Sequence, residues 1–205
     1  MDKQQLELKR KSILAALKRL LDRHSYSYIS MQNVADEAGI SKGGLRYHFP
    51  TKETLFLGLL EDFFTEIESA HTRMVDAQEG NRDKVVLSTL FNIESFVLDR
   101  RNIKVFINLI LYAMEVPSMM VPVQTFFRQH LEKFKLMVET AKSELPRINK
   151  AEFDMEFLAR ITQVLLLSVG LFEALDPTGM EPAKLTRYVL SLLADSGESQ
   201  KNQIS

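Results

Sequence analysis

An all-α fold is predicted by three features of the chain. Apolar residues recur at three- and four-residue spacings in one segment after another, and each such segment makes one face of a helix. No run alternates apolar and polar residues between hairpin turns, as a half-buried strand would. Only eight glycines and six prolines interrupt the 205 residues. With 45% hydrophobic and 26% charged residues, the chain can bury a sizeable core in one or two domains. The pattern gives about nine helices: a three-helix head over residues 1–52, a larger helical body over 53–195, and a polar tail, 196–205, read as disordered.

The first helix, residues 3–23, turns Ile13, Ala16, Leu17, Leu20 and Leu21 inward. Near its start Lys9, Arg10 and Lys11 form a basic run, which suits a solvated face or contact with phosphate equally well. Tyr26, Tyr28 and Ile29 then lead into the next helix and are expected to close the core of the head. Ser30 is a good N-cap, followed by Met31, Val34, Ala35 and Ala38 on one face of a short second helix. Gly39 can take the left-handed conformation that a tight helix end requires, Ile40 plugs the corner, and Ser41 caps a third helix running to His48. Two helices joined by so short a turn cross steeply, which is the helix-turn-helix arrangement. In that arrangement the first helix crosses the phosphate backbone and the second enters the major groove of DNA.

The third helix has a reader's composition. Gly43 and Gly44 strip bulk from its start, while Lys42, Arg46 and His48 surround them with hydrogen-bond donors. Two glycines cost a helix roughly 1 kcal/mol each relative to alanine, a cost that close approach to a phosphate or base edge would justify. Over about the first sixty residues the chain resembles the TetR family of bacterial transcriptional regulators. The matching residues are Ala35, Gly39-Ile40-Ser41, Tyr47-His48-Phe49 and Lys52. At one position the family's usual tyrosine is replaced by Arg46, whose guanidinium can grip guanine O6 and N7 or a phosphate. The DNA-binding residues read from the motif and the resemblance are Ser30, Gln32, Lys42, Gly43, Gly44, Arg46, Tyr47, His48 and Lys52. Arg46 and Lys42 are the base readers, helped by Gln32, while Tyr47, His48 and Lys52 hold phosphate.

Charge agrees with this placement. Residues 1–55 carry ten Lys or Arg against six Asp or Glu, and the remainder sixteen against twenty-one, so a net charge of -1 hides a basic head on an acidic body. Pro50 ends the reading helix and Thr51 caps a long fourth helix to about residue 74, with Lys52 at an N-terminus that favours phosphate. Leu55, Leu59, Leu60, Phe63, Phe64 and Ile67 form its buried stripe, and the helix is shared by head and body.

Beyond Gly80, helices are predicted over 82–99, 102–115, 119–143, 151–175 and 182–195, with Pro117, Pro122, Pro146, Pro177 and Pro182 among the breakers. From Val164 to Phe172 the eighth helix is apolar nearly all round and needs cover on every side. The ninth offers a complementary stripe. A homodimer interface is therefore expected through Val164, Leu167, Leu171, Leu185, Tyr188, Val189 and Leu192, a four-helix arrangement that the resemblance also implies.

The resemblance implies an effector cavity in the body, and polar groups that interrupt apolar stripes nominate its lining: Phe91, Glu94, Tyr112, Phe127 and His130. Asn108 and Glu115 fall on the polar side of the sixth helix, opposite Ile103, Ile107, Ile110 and Met114, and are read as solvated. No phosphate loop, nucleophile elbow or metal-binding spacing is present, and the four histidines are far apart in sequence, so neither enzyme chemistry, metal nor cofactor is expected. The lack of cysteine fits a reducing compartment. No opening apolar run or spanning stretch points to secretion or a membrane, and a cytoplasmic protein is expected. The expected function is a repressor, released from a palindromic double-stranded DNA operator by an unknown small-molecule effector. The alternative is a DNA-bound adaptor that recruits a protein partner and binds no small molecule.

Overall fold

The computed structural model describes residues 3–92, 100–145 and 154–176, together with 181 and 184. Among these residues the secondary structure is helical throughout: α1 (Lys3–Arg23), α2 (Met31–Glu37), α3 (Lys42–His48), α4 (Lys52–Asp76), α5 (Asn81–Asn92), α6 (Arg100–Glu115), α7 (Pro117–Ala141) and α8 (Met155–Leu175), with 3-10 turns at Tyr26–Tyr28 and Lys142–Glu144. The ninth helix expected over 182–195 and the tail lie outside the described residues. One boundary differs in an informative way. Pro117 opens α7 instead of preceding it, since the first helical position needs no N–H donor, and Pro122 is carried inside the helix.

The described residues divide into two compact units, one of residues up to Ile67 together with Arg101–Phe126, the other of Glu68–Arg100 and residues from Phe127 on. In the first, Ile13, Ala16, Leu17 and Leu21 of α1 are fully buried, as are Val34 and Ala35 of α2, Leu45 of α3 and Leu55, Phe56 and Leu60 of α4. These are the inner faces that helical periodicity assigns. Arg19 and Arg23 of α1 both grip Glu37 at the end of α2, at 2.8 and 2.6 Å, and hold its carboxyl below the usual carboxylate range.

The first unit also takes in α6, through the side of that helix read above as solvated. Asn108 is only 9% exposed. Its Oδ1 accepts from the Tyr26 amide at 2.8 Å, and its Nδ2 donates to the carbonyls of Leu21 and Lys104 at 3.3 and 3.0 Å. Glu115 accepts from the Tyr26 hydroxyl at 2.5 Å. Lys104 donates to the Asp22 carbonyl, and Ser118 of α7 bonds Glu53 of α4. Glu115 is exposed, as expected, while Asn108 is drawn in because α1 ends at Arg23 and a 3-10 turn follows, leaving amides and carbonyls that need partners. The polar side of α6 supplies them. Met114, placed on the apolar side, is 68% exposed.

In the second unit Val85 of α5 packs with Val138 and Ala141 of α7 and with Leu145, flanked by Phe134, Met137 and Met155. Glu144 accepts from the Asn81 side chain and the Arg82 amide, both at 3.0 Å, and so ties the end of α7 to the start of α5.

Candidate nucleic-acid interface

The interface is built on caps. Ser30 and Asn33 form a reciprocal capping box at the start of α2, with the Asn33 amide donating to Ser30 Oγ at 3.2 Å and the Ser30 amide to Asn33 Oδ1 at 3.0 Å. Gly39 stands at φ +65°, the left-handed turn that ends α2. The Ile40 amide then returns to the Ala35 carbonyl at 3.0 Å. Ser41 Oγ accepts from the Gly44 amide at 3.0 Å and starts α3. Leu45 is fully buried, so it sets which side of α3 faces inward.

The outward side carries Lys42, Gly43, Arg46 and Tyr47, all exposed, with Tyr47 at 73%. Gln32 is exposed on α2 and donates to Asp36 Oδ1 at 2.8 Å. The two glycines differ in kind. A Cβ on Gly44 would meet Ser41 Oγ at 3.3 Å and crowd the cap, whereas on Gly43 it would meet nothing closer than 4.0 Å. The fold therefore has room for a side chain at Gly43, and its absence lowers the height of the exposed face. His48 is half-buried and edge-on to Tyr47 at 5.2 Å between ring centroids. Burial, with Arg10 and Lys9 nearby, lowers its pKa, so it offers a neutral imidazole near pH 7.

Lys52, read from the sequence as a phosphate contact, is turned inward. Its Nζ donates to the Tyr26 carbonyl at 2.9 Å and lies 5.4 Å from the rings of both Phe56 and Tyr112, and burial lowers its pKa. The start of α4 faces the 3-10 turn, where the Tyr26 carbonyl accepts both the Ile29 amide at 3.2 Å and this ammonium. Tyr28 departs from expectation in the opposite direction: it is 73% exposed and stacks on His24, while Ile29 alone of that pair is buried.

The described residues nominated for an effector pocket are divided between the two units. Tyr112 belongs to the first unit, against Phe56 at 4.4 Å and Tyr26 at 5.8 Å, because α6 turns that face toward the head. In the second unit, His71 of α4 brings two of them together, with Phe91 edge-on at 5.4 Å and His130 at 5.6 Å. His71 Nε2 lies 2.8 Å from Ser88 Oγ. Phe127 is half-buried, and its carbonyl accepts from Gln163 at 3.2 Å. Glu94 lies outside the described residues. Sequence spacing could not have found His71, because its partners come from two other helices. Among the described residues no group of three or more metal-ligating side chains converges. Of the dimer candidates, Val164 and Leu171 are 50% and 41% exposed and Leu167 is half-buried, while Leu185, Tyr188, Val189 and Leu192 lie outside the described residues.

A capped helix pair joined by a left-handed glycine, with its second helix presenting cations and bare backbone to solvent, defines a helix-turn-helix protein. Residues 13–59 match the family model described as bacterial regulatory proteins, tetR family. The chain is 27% identical over 97 residues to the HTH-type transcriptional regulator EthR of Mycolicibacterium smegmatis, covering 47% of this chain and 39% of that one. It is 32% identical over 85 residues to the nucleoid occlusion factor SlmA of Vibrio cholerae, covering 40% and 43%. The chain thus spans about two fifths of the length of these curated relatives. Its fold matches a Saccharomonospora viridis protein crystallised in complex with choline, with a TM-score of 0.77 and 17% identity over 89% of this chain and 93% of that one. No helix among the described residues is long and apolar enough to cross a membrane.

Proposed function

We propose that this protein is a sequence-specific DNA-binding transcriptional regulator, cytoplasmic and dimeric, whose two heads place Lys42–His48 in successive major grooves of a palindromic operator. The observation that carries this reading is the exposed face of α3, with Arg46, Lys42 and Tyr47 around a glycine that the fold itself does not require. Arg46 and Lys42 read base edges. Gln32, Tyr47 and the neutral His48 supply the neighbouring contacts, and Ser30 with Asn33 fixes the start of α2 at the backbone. Phosphate contacts set register, and only base contacts select sequence.

The dimer forms through α8, where Phe157, Ile161, Val164, Leu165, Leu171, Phe172 and Leu175 are all exposed. An apolar stripe of that length on a soluble protein calls for a partner surface. The protein acts as a repressor, and an effector in the body near Phe91, His71 and His130 releases it by favouring one arrangement of the heads over another. The choline complex of the structural relative supports a small-molecule role for bodies of this kind.

The test is binding of the purified chain to the duplex flanking its own coding region, against a scrambled duplex, over a range of salt. Arg46→Ala is expected to cost about 1–3 kcal/mol on the preferred site and to relax its sequence preference. Equal losses on both duplexes would make Arg46 a phosphate contact only. A second reading is a DNA-bound adaptor that recruits a protein, for which the exposed apolar side chains Met114, Val121 and Leu136 offer contact surface. Under that reading no small molecule changes DNA affinity, and a protein partner co-purifies with the DNA-bound form.

A further inference from the structure

The reading helix is poorly equipped to hold its own shape. Seven residues are too few for a helix to persist alone in water, and the Gly43-Gly44 pair weakens it further. Ser41 secures its start, but the carbonyl of His48 at its other end has no donor within the helix. Arg10, thirty-eight residues earlier on α1, supplies one: Nη1 donates to the His48 carbonyl at 3.1 Å. The same guanidinium lies 4.4 Å over the ring of Phe49, the residue that closes α3. Phe49 is 1% exposed, and its ring lies on the backbone of Gly58 in α4, so close that a Cβ there would stand 2.8 Å from it.

We propose that Arg10 is a positioning residue for DNA reading: by fixing the last carbonyl of α3 and the ring beyond it, it sets the angle at which Arg46 and Tyr47 are presented. The inference rests on α3 being the DNA reader, and it gives the basic run on α1 a divided role. Lys9 and Lys11 are exposed. Arg10 alone of the three has these contacts to the end of α3. A lysine would not replace it, because only a planar guanidinium can donate sideways to a carbonyl while its face covers a ring. A positive group at the helix C-terminus also opposes the partial negative charge there.

The conservative variant separates this role from phosphate contact, since R10K keeps the charge and loses the fork. In the free full-length protein, hydrogen exchange at the amides of residues 45–49, taken relative to core amides of α1, is expected to speed up about tenfold in both R10K and R10Q, as loss of one charge-assisted hydrogen bond implies. Affinity for the preferred duplex should fall by a similar factor in both, while R10K binds a scrambled duplex as the native chain does, with the same salt dependence. Because exchange is read as a ratio, a general loss of stability does not imitate the effect. The proposal is overturned if R10K matches the native chain in exchange and in preference. It is also overturned if R10Q loses equally on both duplexes with a salt slope reduced by about 0.9, the mark of a phosphate contact. A native chain that binds no duplex would remove the DNA reading, and the exchange ratio would still decide whether Arg10 holds α3.

Discussion

At Gly43 helix stability and the proposed close approach to DNA would pull in opposite directions. Nothing lies closer than 4.0 Å to the position a methyl group would take. Gly43→Ala is therefore expected to stabilise the head by about 0.5–1 kcal/mol through helix propensity and the reduced freedom of the unfolded chain. It should at the same time weaken binding to the preferred duplex. Thermal denaturation and a binding titration on the same sample check both halves, and an alanine that leaves affinity intact would remove the close-approach argument. Gly44 is no substitute for this test, because a methyl group there presses on the capping oxygen of Ser41 at 3.3 Å. Lys52 teaches a related lesson: a cation at a helix N-terminus is an inviting phosphate ligand, yet in this chain its ammonium bonds the Tyr26 carbonyl.

Among the elements, α1 to α4 were legible because every signal that makes them is local. Their stripes, caps and left-handed turn lie within a few residues of one another, and Ser30, Gly39 and Ser41 stand in the roles their residue types dictate. Which side of α6 faces the head was not legible. Periodicity gave the correct helix, but Asn108 meets Tyr26 across 82 positions of sequence, and no spacing rule encodes the unmet hydrogen bonds of a turn so remote. Of the candidate site, the exposed face of α3 could be read from the motif, whereas the parts of Arg10 and His71 depend on helices meeting in space. The α6 contact makes a quantitative prediction. Asn108→Ala leaves the Tyr26 amide and the Leu21 carbonyl without their partner and should cost about 1–3 kcal/mol, measured by urea denaturation. Tyr26→Phe, which removes only the half-exposed link to Glu115, should cost less.

For the whole molecule, acid and dilution are the informative variables. Burial, with His71 and Lys133 nearby, pushes the His130 imidazole down to about 4, with Glu68 opposing. Between that value and the ordinary 6.5 the unfolded chain binds a proton that the folded chain does not, so stability is full above about pH 6.5 and falls as pH drops toward 4. The loss from this group is at most about 3 kcal/mol. His71, also lowered by burial, acts in the same direction. Denaturation midpoints measured from pH 7 to 4.5 should show the decline, and His130→Gln should flatten it. Dilution tests the exposed stripe of α8. Val164→Glu, at a residue 50% exposed, is expected to yield a folded monomer by sedimentation and to abolish the preference for a two-half-site duplex over a single half-site. A monomeric native chain would remove that interface. The bonds from Tyr26 to α6 bear on how such a protein could be re-engineered. A chimera made by cutting after α3 would strand an amide and a phenol that need Asn108 and Glu115, so the transferable reader is a discontinuous module. Anyone moving it to a new host should carry residues 101–126 with it.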